Sequence, residues 1–172
     1  EAFEKAWTKL TKGVDVKLPK AENVRVESKK TLEQLCKDGA KKRGIDLKDK
    51  VYAARLKREL QLIKDKEFQD YFFLVADLCE AAKERMLVGP ARGSSSGSLA
   101  CFLIGITEVD PIPHGLLFER FIDITRADLP DIDIDFPDKD WVFKYLQNKY
   151  GELNVAHIGT VLRYQAKSAI TD

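Results

Sequence analysis

The segment LPDIDIDF, residues 129–136, constrains this chain more than any other, because three aspartates alternate with two isoleucines. Such alternation has the period of a strand, which predicts Asp131, Asp133 and Asp135 on one face and Ile132 and Ile134 on the other. Same-face neighbours along a strand lie about 6.6 Å apart, so three acids share a small surface. Two carboxylates about 4 Å apart repel by roughly 4 kcal/mol at an effective dielectric near 20. Aspartate is also a poor strand former, so its repetition calls for a compensating cation. Hard oxygen donors select magnesium or manganese. The plain alternative is an edge strand whose aspartates face water. An EF-hand is excluded, since Phe136 stands where that loop needs glycine and Val142 where it needs glutamate.

The second informative stretch is GPARGSSSGS, residues 89–98, running into the apolar SLACFLIGI, which fits a buried helix. Small residues, free backbone N–H groups and Arg92 at a helix N-terminus make an anion-binding arrangement. Gly93 and Gly97 permit close approach, Ser94 to Ser96 offer hydroxyls, and Arg92 can make a forked contact to phosphate. A flexible loop without chemistry is the alternative. A serine hydrolase is a further one: Gly93, Ser95 and Gly97 spell G-x-S-x-G, and Ser95, Asp131 and His157 follow the order nucleophile, acid, base. Against it, Pro90 and Arg92 interrupt what should be a core strand leading to the nucleophile. A P-loop fails because Gly89 and Gly93 stand too close together and no lysine follows.

The 172 residues suit one domain, and 44% hydrophobic with 33% charged residues is an ordinary globular composition. No stretch approaches the roughly 20 apolar residues of a membrane helix. The net charge of +1 supplies no global attraction to nucleic acid. Cys36, Cys79 and Cys101 are scattered and odd in number, which speaks against a disulfide framework and for a reducing cytoplasm. The first residue is not methionine, which reads as an excised fragment, with processing as the alternative.

Periodicity predicts a peripheral helix over about residues 2–12, then an extended connector. A helix starting at Thr31, with Gln34 completing a capping box, should end near Gly44. Tyr52, Leu56, Leu60 and Ile63 mark a second helix, and Tyr71 to Met86 a third packed on it. A helix from Asp138 to Tyr150, a short strand at NVAHI and a last helix from Thr160 complete the reading. His114 and His157 read as packed or solvated histidines, and Trp7 and Trp141 as packing residues. Lys41, Lys42 and Arg43 read as a solvated face, with template-backbone contact as the alternative.

Taken together, VGPARGSSSGSLACFLIGITEVDPIPHGLLFERF and LPDIDIDF resemble the bacterial C-family replicative DNA polymerases, the DNA polymerase III alpha subunits. Five blocks stand in the family's order: an R-G-S turn, an apolar helix, I-T-x-V-D-P, L-L-F-E-R-F and P-D-x-D-x-D-F. KTLEQLCKDGAKKRG and LKRELQLIKDKEFQDYFFLVADL extend the likeness over nearly the whole chain.

The resemblance implies an α+β fold, a polymerase-beta-like nucleotidyltransferase palm with a small mixed sheet packed with helices. It implies a connector over 1–30, the first palm segment over 31–160 and the start of a thumb-like helical segment over 161–172. Arg92, Gly93 and Ser94 match the nucleotide-binding turn, Asp131 and Asp133 the catalytic metal-binding pair, and Arg120 a basic residue beside the phosphates; a surface role for Arg120 beside Phe118 and Phe121 is the alternative. Asp135 is assigned a supporting role. Two magnesium ions, with manganese an alternative, deoxynucleoside triphosphates, primer–template DNA, the remaining polymerase domains and replisome subunits are the implied cofactor and partners. Templated nucleotidyl transfer is the implied reaction, with the isolated chain inactive; a non-catalytic nucleotide- or DNA-binding remnant is the other reading. Ala91 departs from the family's usual glycine, GTVLRYQAK from its T-F-G-T run, and the family's third catalytic aspartate lies in a later segment.

Overall fold

The computed structural model describes residues 30–90, 92–125 and 129–157, and these form helices joined by tight turns. The expected helix over 2–12, the connector after it and the helix from Thr160 lie outside the described residues. The described residues fall into two units divided between Asp138 and Lys139.

In the first unit, α1 (Leu32–Arg43) begins where the capping box placed it: Thr31 accepts from the Gln34 N–H, and the Gln34 side chain accepts from the Thr31 N–H. It ends at Gly44. Asp49 caps α2 (Lys50–Asp65) by accepting from the Val51 N–H at 2.7 Å. Helix α3 (Gln69–Lys83) buries Phe72, Val75, Leu78, Cys79 and Ala82, the stripe its periodicity marks. The apolar run after the serines makes only a five-residue helix, α4 (Leu99–Leu103), every residue of which is buried. Helices α1 and α2 pack on it. A β-carbon at Gly39 would fall 1.7 Å from the Leu103 carbonyl oxygen, so only glycine lets α1 lie against the end of α4.

Beyond α4, Asp110 of the ITEVDP block is an anchor: its carboxylate accepts from the Tyr52 hydroxyl at 2.7 Å and the Ile112 N–H at 3.0 Å. That hydrogen bond, with burial, pushes the Tyr52 phenol up to about 12. Phe118 and Phe121 close the core, and Phe121 meets Phe72 edge-on at 6.1 Å. All three cysteines are free and buried, and burial raises the Cys36 thiol to about 12, which leaves it inert.

The second unit contains α5 (Lys139–Tyr150) and a turn at Glu152–Asn154. Trp141 stacks on Tyr145 at 5.3 Å and His157 on Phe143 at 4.0 Å.

The α+β palm expectation, with its mixed sheet, is overturned: no strand occurs among the described residues. Residues 131–135 keep the alternation, with Asp131, Asp133 and Asp135 exposed and Ile132 and Ile134 half-buried. They nevertheless make a single antiparallel bridge, Arg92 to Asp133. Pro130 and Pro137 bound the segment, while Pro90 lacks an N–H and the opposing backbone curls into a turn at Gly93, so no ladder can extend. The strand expected at NVAHI is likewise absent over 155–157, which follow a turn and meet no partner strand among the described residues.

Candidate functional site

Gly93–Gly97 is a 3-10 turn that opens with Gly93 at φ 68°, a left-handed conformation that favours glycine. A β-carbon there would also fall 2.6 Å from Asp133 Oδ2. The serine hydroxyls have different employments. Ser95 is fully buried and donates to the Arg92 carbonyl at 3.1 Å, Ser96 donates to the Gly93 carbonyl at 2.7 Å, and Ser98 donates to Glu59. Ser94 is half-exposed, and among the described residues its hydroxyl has no hydrogen-bond partner. Ser94 can therefore donate to a ligand without losing an internal bond. A buried Ser95 is no accessible nucleophile, which removes the hydrolase alternative.

The aspartate segment runs beside this turn. The Gly89 N–H donates to the Asp135 carbonyl at 3.0 Å, and Arg92 pairs with Asp133 across the bridge. The Arg92 guanidinium lies 3.7 Å from Asp133 Oδ1 and 3.6 Å from Asp135 Oδ1. Asp131 has no hydrogen bond or ion pair among the described residues. Tyr71, near the start of α3, is hydrogen-bonded to the Ile132 backbone; burial raises its phenol against that bond, and Asp131 and Asp133 raise it further. Asp133 and Asp135 thus already draw one cation, the Arg92 guanidinium. Among the described residues no group of three or more histidine, cysteine or acidic side chains is placed to hold a metal. Magnesium needs only one or two carboxylates when water and phosphates complete its octahedron, so the donor chemistry of Asp131 and Asp133 fits it.

Arg120 lies on a second turn, Phe118–Arg120, that packs beside the serine turn. Buried Phe118 and Phe121 fix the backbone around it, while Arg120 is exposed and without a hydrogen bond or ion pair among the described residues. Its neighbour Glu119 pairs with Arg58.

Sequence reasoning missed Arg55 and Glu59 on α2. Glu59 is fully buried and caps α4: Oε1 accepts from the Leu99 N–H at 3.0 Å, and Oε2 from the Ala100 N–H at 2.9 Å and the Ser98 hydroxyl at 3.0 Å. The α4 N-terminus expected to greet an anion is therefore already occupied by one of the chain's own carboxylates. Arg55 Nε donates to Glu59 Oε1 at 2.6 Å, and its Nη2 donates to the Gly97 carbonyl at 2.6 Å and the Leu116 carbonyl at 2.9 Å. Burial pushes the Glu59 carboxyl up, opposed by the Ala100 and Leu99 N–H groups and by Arg55.

Lys41 and Lys42 are exposed, whereas Arg43 is structural: it donates to Glu108 at 2.7 Å and the Thr107 carbonyl at 3.1 Å, and lies over the Phe102 ring. His114 is exposed in its turn.

Comparison with known proteins adds an independent finding. Residues 30–172 match the family model of the bacterial DNA polymerase III alpha NTPase domain. The chain is 47% identical over 152 residues to the DNA polymerase III subunit alpha of Ureaplasma parvum serovar 3, covering 84% of this chain and 16% of that relative. It is 46% identical over 144 residues to the subunit of Bacillus subtilis strain 168, covering 82% and 13%. Against the Staphylococcus epidermidis RP62A subunit it is 48% identical over 130 residues, covering 74% and 12%. The chain therefore spans 12 to 16% of the length of these three relatives.

Proposed function

This chain belongs to the bacterial DNA polymerase III alpha family, and from that premise we propose that it contributes the triphosphate- and metal-binding part of a DNA-directed DNA polymerase. Its ligands are an incoming deoxynucleoside triphosphate and a primer–template, and its partners are the remaining polymerase domains and replisome subunits. The observation that supports this reading is the pairing of Arg92 with Asp133, which brings the glycine-serine turn and the aspartate segment into one place.

In this reading, Ser94 donates its free hydroxyl to a phosphate oxygen. The Gly93 turn lets phosphate approach the backbone because no β-carbon stands in the way. Arg92 offers a forked donor set that can leave the carboxylates for the phosphates. Arg120, exposed on the neighbouring turn, adds positive charge beside the same anion. Asp131 and Asp133 would hold magnesium or manganese, which when bound supplies charge stabilisation for the attacking and leaving oxygens of nucleotidyl transfer. Asp135, whose carbonyl is tied to Gly89, keeps the acidic segment in register with the turn.

The test is Asp131→Asn and, separately, Asp133→Asn in the full-length subunit. Each should reduce nucleotide incorporation on the order of a thousandfold, the scale of losing an electrostatic stabiliser, with an unchanged melting temperature because both residues are exposed. Incorporation within tenfold of the parent would remove the assignment.

A further inference from the structure

We infer that Arg55 and Glu59 are positioning residues for nucleotide binding: a pair on α2, Glu59 buried and Arg55 half-buried, that fixes the serine turn and the Arg120 segment in one geometry. The inference rests on the reading of the serine turn as the triphosphate seat.

Three observations carry it. First, Glu59 reaches the chain at the exit of the turn, accepting from Ser98, Leu99 and Ala100, so the last turn residue, Gly97, is followed at once by three fixed donors. Second, the same Arg55 nitrogen, Nη2, donates to the Gly97 carbonyl at the end of the turn and to the Leu116 carbonyl at the head of LLFERF. One guanidinium thus ties together the two segments that carry Ser94 and Arg120. Third, the pair is closed on itself, with Arg55 Nε on Glu59 Oε1 at 2.6 Å and the Glu59 side chain fully buried. Neither residue is free to bind a ligand, so any influence on nucleotide passes through the turn.

The chemistry explains why charge is used here. A short helix such as α4 has N–H groups that no earlier carbonyl can satisfy. A neutral cap satisfies one; a carboxylate with two oxygens takes two N–H groups and a hydroxyl and still accepts from Arg55. Occupying the α4 N-terminus internally also leaves an incoming anion to the donors of Arg92, Ser94, Arg120 and the turn itself. The pair therefore decides where on this surface the triphosphate sits.

The experiment uses the full-length polymerase subunit, with steady-state incorporation normalised to active sites titrated by single turnover. Glu59→Gln removes the charge but keeps the shape. It should raise KM for the deoxynucleoside triphosphate about tenfold, equivalent to about 1.4 kcal/mol of binding, while the dissociation constant for primer–template stays within about twofold of the parent. Arg55→Lys keeps the positive charge but loses the planar fork that spans two carbonyls, and should raise the same KM in the same direction. It supplies the readout if Glu59→Gln does not yield soluble protein. A purely structural pair would instead lower the titrated active fraction and leave KM unchanged in the molecules that remain, and that result overturns the inference. Ser94→Ala separates this from the underlying reading. If Ser94→Ala raises the nucleotide KM and the two α2 variants do not, the positioning role is wrong and the triphosphate seat stands. If Ser94→Ala leaves KM unchanged, the seat itself is misplaced and the inference falls with it.

Discussion

The two halves of the candidate site are built to different standards. The serine turn ends on α4, whose residues are all buried and whose leading N–H groups are taken by Glu59 and Ser98. The aspartate segment is exposed, joined to the turn by one bridge, one backbone bond from Gly89 and two ion pairs of 3.6 and 3.7 Å at an arginine that is itself 61% exposed. Buried and fully satisfied groups hold one geometry, while exposed pairs at such distances contribute little. In the proposed reading the serine turn is the phosphate side and is preorganised, while the aspartate segment is the metal side and depends on what binds to it.

The sharpest way to break this comparison is Glu59→Ala. Removing the carboxylate leaves the buried Leu99 and Ala100 N–H groups and the half-buried Arg55 guanidinium without their acceptor, which should cost about 4 kcal/mol in urea unfolding of the chain. Asp133→Asn, on the exposed side, should change stability by less than about 0.5 kcal/mol. Equal losses would mean that the two halves are not differently built.

At the other end of α4, Gly39→Ala places a methyl group on the Leu103 carbonyl, and a backbone atom cannot swing aside as a flexible side chain does. The helix must back away from α4, at a cost of about 2 kcal/mol. Gly44→Ala, where nothing lies within 4 Å of the added carbon but φ is 69°, should cost about 1 kcal/mol. If Gly39→Ala is no worse than Gly44→Ala, the close approach of α1 to α4 is wrong.

A smaller effect lies between the halves, at Glu108. Its N–H donates to the Pro90 carbonyl, ahead of the serine turn, and its carboxylate pairs with Arg43 and Lys83. Burial raises its pKa, but the hydrogen bonds to Arg43 and Lys83 outweigh this and hold it below the usual carboxylate range. Because the folded value lies below the unfolded one, this contribution is complete above the unfolded value of about 4.3 and is lost as pH falls through the folded value. With 39% of the side chain exposed, solvent screening keeps it under about 1 kcal/mol. The stability difference between the parent and Glu108→Gln should therefore shrink as pH is lowered from about 6 to about 3. A difference that grows on acidification would reverse the sign of the shift.

What was legible in the sequence follows the same division. Local signals read correctly: the Thr31–Gln34 capping box, the stop at Gly44, the apolar stripes of α2 and α3, and the motif blocks that carried the family resemblance. The alternation of LPDIDIDF correctly gave the faces of residues 131–135 but not a strand, because pairing is a property of the partner segment, and Pro90 and the curl at Gly93 deny it one. Glu59 was missed although a signal existed. It falls on the same helical face as Leu56 and Ile63, and an acid amid an apolar stripe demands buried donors. Which donors it meets depends on a segment some forty residues later in the chain, which α2 cannot announce.

The smallest effect tests the exposed half directly. Magnesium added alone must draw Asp133 away from Arg92 and find Asp131, with water filling the rest of its octahedron. Such a site is weak, and at a concentration equal to its dissociation constant the gain is about 0.4 kcal/mol, a rise in melting temperature of about 1 °C for a chain of this size. Arg92→Ala removes the resident cation and leaves the carboxylates to repel one another, so it should lower the melting temperature without magnesium and enlarge the response to it. Adding a deoxynucleoside triphosphate should reverse the ranking: phosphate oxygens then complete the coordination, and the parent, which keeps Arg92 for the phosphates, should gain more than the variant. A rise of more than about 5 °C from magnesium alone would require affinity that two exposed carboxylates cannot supply. The metal side would then be as preorganised as the phosphate side, and the contrast between the two halves would not hold.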